Sequence, residues 1–310
     1  MIVAIILVSA LSAGQSEETS PPVVWPAAYK RFVDLFEARE YHCSAGQDQP
    51  VVLKYRLFVP RNLDPTRRYP LILWLHGLGE GGKDNHRSLK YVPMIFNDLE
   101  HAEKYRFFFL VPQCPSAHDT WTSKLDSTSD KDMLTATHEM LQEVMREQPV
   151  DPDRVSLIGI CSGGGACWSM GQRYPDTFAA IVPTNPGCGD LSQAARLAHI
   201  PIWAFQFEYP EIAKDMMDAV KQAGGNIHLT TASYQAHDAW SVAIEKCDIV
   251  TWMTAQRRNA WICLTPPGHR PWQWWHILTV PSVFAGLVGV AWMSERKRRQ
   301  RRKQDQLTIK

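Results

Sequence analysis

The chain is predicted to fold as a doubly wound α/β domain with a mostly parallel sheet, followed by a C-terminal transmembrane helix. Three observations carry the α/β part. Six apolar runs of strand length, Leu71–Leu75, Phe107–Val111, Val155–Ile160, Ala179–Val182, Ile202–Phe207 and Ile227–Thr231, do not alternate with polar residues. Continuous runs of this kind mark strands covered on both faces. Helix-patterned stretches lie between them, at Asp132–Gln148, Gly165–Tyr174 and Ile212–Ala223, and strands alternating with helices imply a wound parallel sheet. One of the runs, Val155–Ile160, leads straight into Cys161-Ser162-Gly163-Gly164-Gly165 and then a helix.

The flanks of this domain read differently from its body. Met1–Leu11 is apolar and gives way to small residues up to Gly14. That is the core and cleavage region of a secretory signal, over residues 1–14, although no basic residue precedes the run. Residues 15–50 form a leader that begins polar and proline-bearing, then carries a short amphipathic helix over Ala27–Glu40 on Phe32, Leu35 and Phe36. The α/β domain is expected over residues 51–254. It opens with an alternating, β-like Val51–Pro60 and a turn-rich Asn62–Tyr69. Helix stops follow at Pro149 and at Gly224-Gly225. Residues 255–271 read as a linker.

From Trp272 to Met293 there are 22 residues without Asp, Glu, Lys or Arg, long enough for a bilayer core. Trp272, Trp274, Trp275 and Trp292 sit near its ends, where amphipathic rings prefer the interface, and the basic run Arg296–Lys303 marks the cytoplasmic side. A span over 272–294 and a cytoplasmic tail over 295–310 place the body outside the cytoplasm, tethered to the membrane. Eight of the 33 basic residues follow Met293, against two of the 32 acidic ones, so the rest of the chain carries 25 basic and 30 acidic groups. Such a body is not a nucleic-acid binder. Seven cysteines in an exported chain allow up to three disulfides. Cys161 and Cys167, about 240° apart on a helix, should not bridge. No Cys-x-x-Cys pair exists, and neither a metal nor a cofactor is expected.

Chemistry concentrates at the turn after Val155–Ile160. A strand, sharp turn and helix form the context of a nucleophile elbow, whose strained apex demands small residues two before and two after it. With Cys161 at the apex those positions are Gly159 and Gly163; with Ser162 they are Ile160 and Gly164. The bulk of Ile160 sets the register on Cys161. Ser162 then contributes its backbone N–H to an oxyanion hole. The second donor belongs after strand Leu71–Leu75, in His76-Gly77-Leu78-Gly79-Glu80, with Leu78 N–H as the first choice and Gly79 the next. No Lys-Ser/Thr follows the glycines, which excludes a Walker loop.

Tyr55–Pro60, Arg68-Tyr69-Pro70 through His76-Gly77, Pro112-Gln113-Cys114-Pro115, Val150–Val155 and His237-Asp238-Ala239-Trp240 together resemble the secreted-esterase and predicted-peptidase branch of the α/β-hydrolases. Polyhydroxybutyrate-depolymerase-like and feruloyl-esterase-like proteins belong to that branch. The similarity covers roughly residues 50 to 245. It implies that Cys161 stands where the family carries serine, an exchange with precedent in dienelactone-hydrolase-like members, and that His237 is the base. The family's acid, an Asp shortly after the strand at Ile202–Phe207, has no counterpart in the shortened Phe207-Glu208-Tyr209-Pro210-Glu211. Glu208 is the best substitute and Glu211 the second, each equally placed to be an N-terminal helix carboxylate. A thiol needs less help than a hydroxyl to ionise beside His.

The expectation is therefore a membrane-anchored, extracytoplasmic hydrolase of carboxylic esters or thioesters, acting on a small-molecule or polymer substrate. Two rivals share the site: a catalytically impaired binding protein on the same fold, and a peptide hydrolase. Trp121, Trp168 and Trp240 either line a pocket or pack, and packing is the commoner fate of such rings.

Overall fold

The computed structural model describes residues 27–43, 51–96, 102–118, 120–123, 131–187, 189–206, 210–231, 243 and 247–258. The expected signal (1–14), the span (272–294), the basic tail (295–310), His237, Trp240 and Glu208 lie outside these residues. Among the described residues no helix is long and apolar enough to cross a membrane.

The apolar runs form the sheet. Its strands are β1 (Phe36–Cys43), β2 (Val51–Phe58), β3 (Tyr69–Leu75), β4 (Phe108–Pro112), β5 (Val150–Ile160), β6 (Ala180–Thr184), β7 (Ile202–Gln206) and β8 (Ile227–Thr231). They lie in the order β1-β2-β4-β3-β5-β6-β7-β8. β2 runs antiparallel to both neighbours, and every pair from β4 across to β8 is parallel. Each residue of β3, β4, β6 and β7 is buried, which is why these strands read as unbroken apolar runs.

Period-two geometry divides those residues between two core layers. Leu71, Leu73 and Leu75 join one layer with α2 (Met133–Glu147), α3 (Ser162–Arg173) and α4 (Pro210–Gln222). Ile72 and Trp74 point into the other, which holds Phe32 of α1 (Ala27–Val33) and Trp252 of α5 (Ile249–Ala255). The long helix α2 starts where Asp132 accepts a hydrogen bond from the Thr135 N–H, an N-cap, and it ends before Pro149.

The N-terminal segment departs from the sequence expectation. The helix ends at Val33, and Phe36–Cys43 is a strand rather than its continuation. β1 pairs with β2 over its whole length, from Phe36 opposite Phe58 to Cys43 opposite Val51. The apolar spacing Phe32, Leu35, Phe36 suits one helical turn, but beyond it Phe36 gains more against the sheet. Its ring lies 5.7 Å from Phe58, 5.3 Å from Phe96 and 6.4 Å from Phe109. Aromatic pairs at these separations outweigh a weak helix propensity. Among the described cysteines Cys43, Cys114, Cys161, Cys167 and Cys247, no two are bridged.

Candidate active site

The end of β5 turns sharply at Cys161, which adopts φ 51° and ψ −116°. A side chain in this region is strained and must be held. The Cys161 N–H donates to Thr184 O at 2.9 Å, and Cys161 O accepts the Gly165 N–H at 3.0 Å, so both β6 and α3 grip the apex. The turn leaves no room for side chains beside it. A Cβ on Gly159 would fall 2.2 Å from Gly163 O and 2.9 Å from Cys167 Sγ, and one on Gly163 would fall 2.1 Å from Leu75 O. Ile160, by contrast, buries its side chain in the layer that holds Trp74 and Val182. Cys161 is half-buried, and Ser162 begins α3 immediately after it, with its N–H in the unbonded first turn of a helix. The neighbouring thiol of Cys167 is fully enclosed, and burial pushes its pKa well above the ordinary value. It packs as a small apolar residue.

The turn after β3 faces this elbow. A Cβ on Gly77 would lie 3.5 Å from Cys161 Cβ. Gly77 through Glu80 form a tight turn in which the Glu80 N–H approaches Gly77 O at 3.4 Å, and Gly79 takes φ +88°, a position that favours glycine. The Gly79 N–H is committed to Ala117 O at 3.1 Å. Leu78, 57% exposed, keeps a backbone N–H with no partner among the described residues. Of the two donors considered for this turn, Leu78 N–H is thus the one left unspent.

Buried polar groups brace the turn from beneath. His76 is 1% exposed. Its Nε2 accepts the Cys114 N–H at 3.0 Å, and its Nδ1 lies 2.8 Å from Gly77 O. Accepting at one nitrogen and donating at the other is the pattern of a neutral imidazole. Burial agrees, pulling its pKa down to about 4. His76 O accepts the Trp121 indole N–H at 2.9 Å. Trp121 and Trp168 are both buried, and Trp168 donates to Gly187 O; these rings pack rather than line an open pocket.

One group was not singled out by the sequence reading. Glu80 is 7% exposed, and its Oε2 accepts the Gly77 N–H at 3.1 Å. Its Oε1 lies 3.6 Å from the point where a Gly77 Cβ would stand. Burial raises its carboxyl to about 7, against the downward pull of the Gly77 N–H and Lys90. Gln113, from the Pro112–Pro115 segment, donates to Glu80 O at 3.1 Å and accepts the Asn85 N–H at 2.7 Å. The sequence signal was an acid directly after the His-Gly-x-Gly turn, in a place where a carboxylate has to be either solvated or used.

Glu211 is exposed in the first turn of α4. It lines a surface cavity with Lys214, Asp218 and His228. A larger cavity of about 650 Å³ lies away from the elbow, at the N-terminal ends of β3, β4 and β5, among Tyr69, Phe107 and Arg154. Among the described residues no three His, Cys, Asp or Glu side chains converge as metal ligands would.

No protein-family model matches the chain, and no curated protein matches it by sequence. Its fold does match solved structures. A thermostable esterase superposes with a TM-score of 0.64 at 26% identity, over 73% of this chain and 64% of that one. A ferulic acid esterase gives 0.55 at 16% identity, over 71% of this chain and 98% of its own. A fluorophosphonate-binding serine hydrolase of Staphylococcus aureus gives 0.53 at 14% identity, over 71% and 98%. The latter two show the fold alone, and the chain spans less than two thirds of the thermostable esterase's length. With the strand order and the strained turn after β5, that likeness gives the chain the fold of the α/β-hydrolase superfamily.

Proposed function

We propose that this protein is a membrane-anchored, extracytoplasmic acyl hydrolase that uses Cys161 as its nucleophile, on esters or thioesters of a small molecule or polymer. The observation that carries the reading is the backbone of Cys161. A non-glycine residue at φ 51° and ψ −116°, gripped by β6 and α3, is strain spent on presenting one side chain. Opposite it stands a turn with an unspent N–H at Leu78.

In the proposed cycle His237 takes the thiol proton, and the thiolate sulfur attacks the acyl carbonyl. The carbonyl oxygen becomes an oxyanion held by the Leu78 and Ser162 N–H groups. As the carbon–oxygen bond breaks, the leaving alkoxide takes the proton from the His237 imidazolium, and the acyl group remains on sulfur as a thioester. His237 then removes a proton from water, which attacks the thioester carbonyl. The carbon–sulfur bond breaks, and the proton returns to sulfur. Glu208 is proposed to orient His237, a contribution that a thiol demands less than a hydroxyl does. Residues 1–14 serve as the export signal and 272–294 as the anchor, with the basic tail in the cytoplasm.

The test is hydrolysis of a short-chain aryl ester by the wild type, Cys161→Ala and Cys161→Ser. The reading expects turnover by the wild type and a loss of about a hundredfold or more in Cys161→Ala, in keeping with removal of a covalent nucleophile. Turnover that is absent, or indifferent to Cys161→Ala, overturns it. Absent turnover would favour a binding role on the same fold, for which the doubly altered triad, Cys161 in place of the family's serine and no Asp after β7, is the motive.

A further inference from the structure

The turn after β3 carries a carboxyl group, that of Glu80, which the proposed cycle does not use. Glu80 is buried, and an ionised carboxylate out of water is costly unless it is hydrogen-bonded. What the carboxylate does there is specific. It accepts the N–H of Gly77, the last backbone donor before the turn and the residue that abuts Cys161. Other bonds of the turn run from the Gly79 N–H to Ala117 O, from Gln113 to Glu80 O, and from His76 Nδ1 and the Glu80 N–H to Gly77 O. Among the described residues the Glu80 carboxylate is the acceptor of the Gly77 N–H.

We propose that Glu80 is a positioning residue for acyl transfer: by accepting the Gly77 N–H it fixes the Gly77–Glu80 turn so that the Leu78 N–H meets the oxygen of an acyl group on Cys161. This rests on the acyl-hydrolase reading and adds to it a residue that touches neither substrate nor sulfur. A donor misplaced by even a fraction of an ångström loses much of its value to a transition state. The effect therefore falls on kcat and leaves substrate binding and thiol nucleophilicity alone. Among the described residues Lys90 and, from α1, Tyr29 are the titratable groups in electrostatic contact with Glu80. Neither replaces it as an acceptor for Gly77.

Three variants of the full chain separate this role from a merely structural one. Glu80→Gln keeps an oxygen acceptor of the same reach, Glu80→Ala removes it, and Glu80→Asp keeps the charge but falls short by a methylene. With the short-chain aryl ester at pH 8, kcat is expected to fall roughly tenfold or more in Glu80→Ala and Glu80→Asp, with KM within about threefold, and to stay within about threefold of wild type in Glu80→Gln. Alkylation of Cys161 by iodoacetamide should be the same in all. Wild-type kcat in Glu80→Ala, or alkylation that falls in parallel with kcat, overturns the proposal.

Exchange of the Gly77 amide with solvent deuterium is read in the same proteins and does not depend on turnover. It should speed up about tenfold or more in Glu80→Ala and stay near wild type in Glu80→Gln. Equal protection in Glu80→Ala overturns the role of Glu80 even if hydrolysis is strong. Absent hydrolysis with the expected exchange pattern overturns the acyl-hydrolase reading and the catalytic meaning of the turn, while leaving the Gly77 tether in place.

Discussion

The two turns that face each other at the C-terminal edge of the sheet are held in opposite ways. The elbow after β5 is fixed by steric exclusion: Gly159, Gly163 and Gly164 each lie so close to backbone oxygens that a Cβ would fall 2.1–2.4 Å from one. The turn after β3 is fixed by buried polar groups, with His76, Glu80, Gln113 and Trp121 each spending a hydrogen bond on it or on its neighbours. Steric exclusion gives a rigid turn whose flanking glycines admit no side chain and whose hold on the backbone involves no titrating group. Polar bracing can hold a main-chain donor at a chosen point, but it makes the turn sensitive to protonation. A nucleophile needs the first, and a preorganised oxyanion donor is served by the second.

The contrast can be broken at either turn. The largest effect is expected from Gly163→Ala, which drives a methyl group into Leu75 O and His76 O. Overpacking against two backbone carbonyls should cost about 3 kcal/mol or more in denaturant unfolding, or prevent folding. Next comes His76→Ala, which removes the acceptor of the buried Cys114 N–H and leaves a cavity beside Trp121, whose ring lies 4.7 Å away. An orphaned donor and a void together should cost about 2–4 kcal/mol by the same measurement.

The polar turn should also reveal itself in pH. Glu80 titrates at about 7 in the fold against 4.5 when unperturbed. A group whose pKa is raised by folding favours the native state fully at low pH and loses that contribution as pH rises from 4.5 through 7. His76 is the reverse: at about 4 against 6.5, its contribution is complete above pH 6.5 and is lost as pH falls toward 4. The two slopes oppose each other over most of this range. Glu80→Gln should therefore unmask a stability that rises with pH up to about 6.5 and then levels. It should also leave the variant more stable than wild type above pH 7, by up to about 3 kcal/mol. Denaturation midpoints across pH 4.5–8.5 check this; parallel profiles for the two proteins would show that folding does not raise the Glu80 carboxyl.

The smallest effect belongs to the elbow's third consecutive glycine. Gly165 has only Gly187 N within reach of a Cβ, at 3.7 Å, and it sits in the first turn of α3. Gly165→Ala should be neutral or stabilising by about 0.5–1 kcal/mol, as alanine for glycine in a helix commonly is. Neighbouring glycines of one turn would then differ in sign, which is the signature of exclusion rather than of flexibility.

The same division explains what the sequence disclosed. Steric rules act over two or three residues, so Gly159, Cys161 and Gly163 could be put in register from their order alone, with Ile160 deciding between Cys161 and Ser162. Fully covered strands announce themselves as apolar runs, and β3 to β8 lie close to where those runs fall. Most of the polar bracing acts across the chain: Glu80 meets Gln113 over 33 residues and His76 meets Trp121 over 45, separations at which no local pattern survives, whereas the Glu80 bond to Gly77 is local and left its trace as an acid just after the turn. The edge strand β1 was hidden for a related reason, since Phe36 reads as helical until the rings of Phe58, Phe96 and Phe109 surround it.

The central claim, that Cys161 is the nucleophile presented by this elbow, is tested most directly by trapping the acyl group. The full chain is incubated with an activated aryl ester, quenched in acid, and mapped by peptide mass spectrometry. The account predicts one acyl adduct, on Cys161, released by neutral hydroxylamine as a thioester should be and absent from Cys161→Ala. An adduct on Ser162, or none on a protein that still turns the ester over, would contradict it.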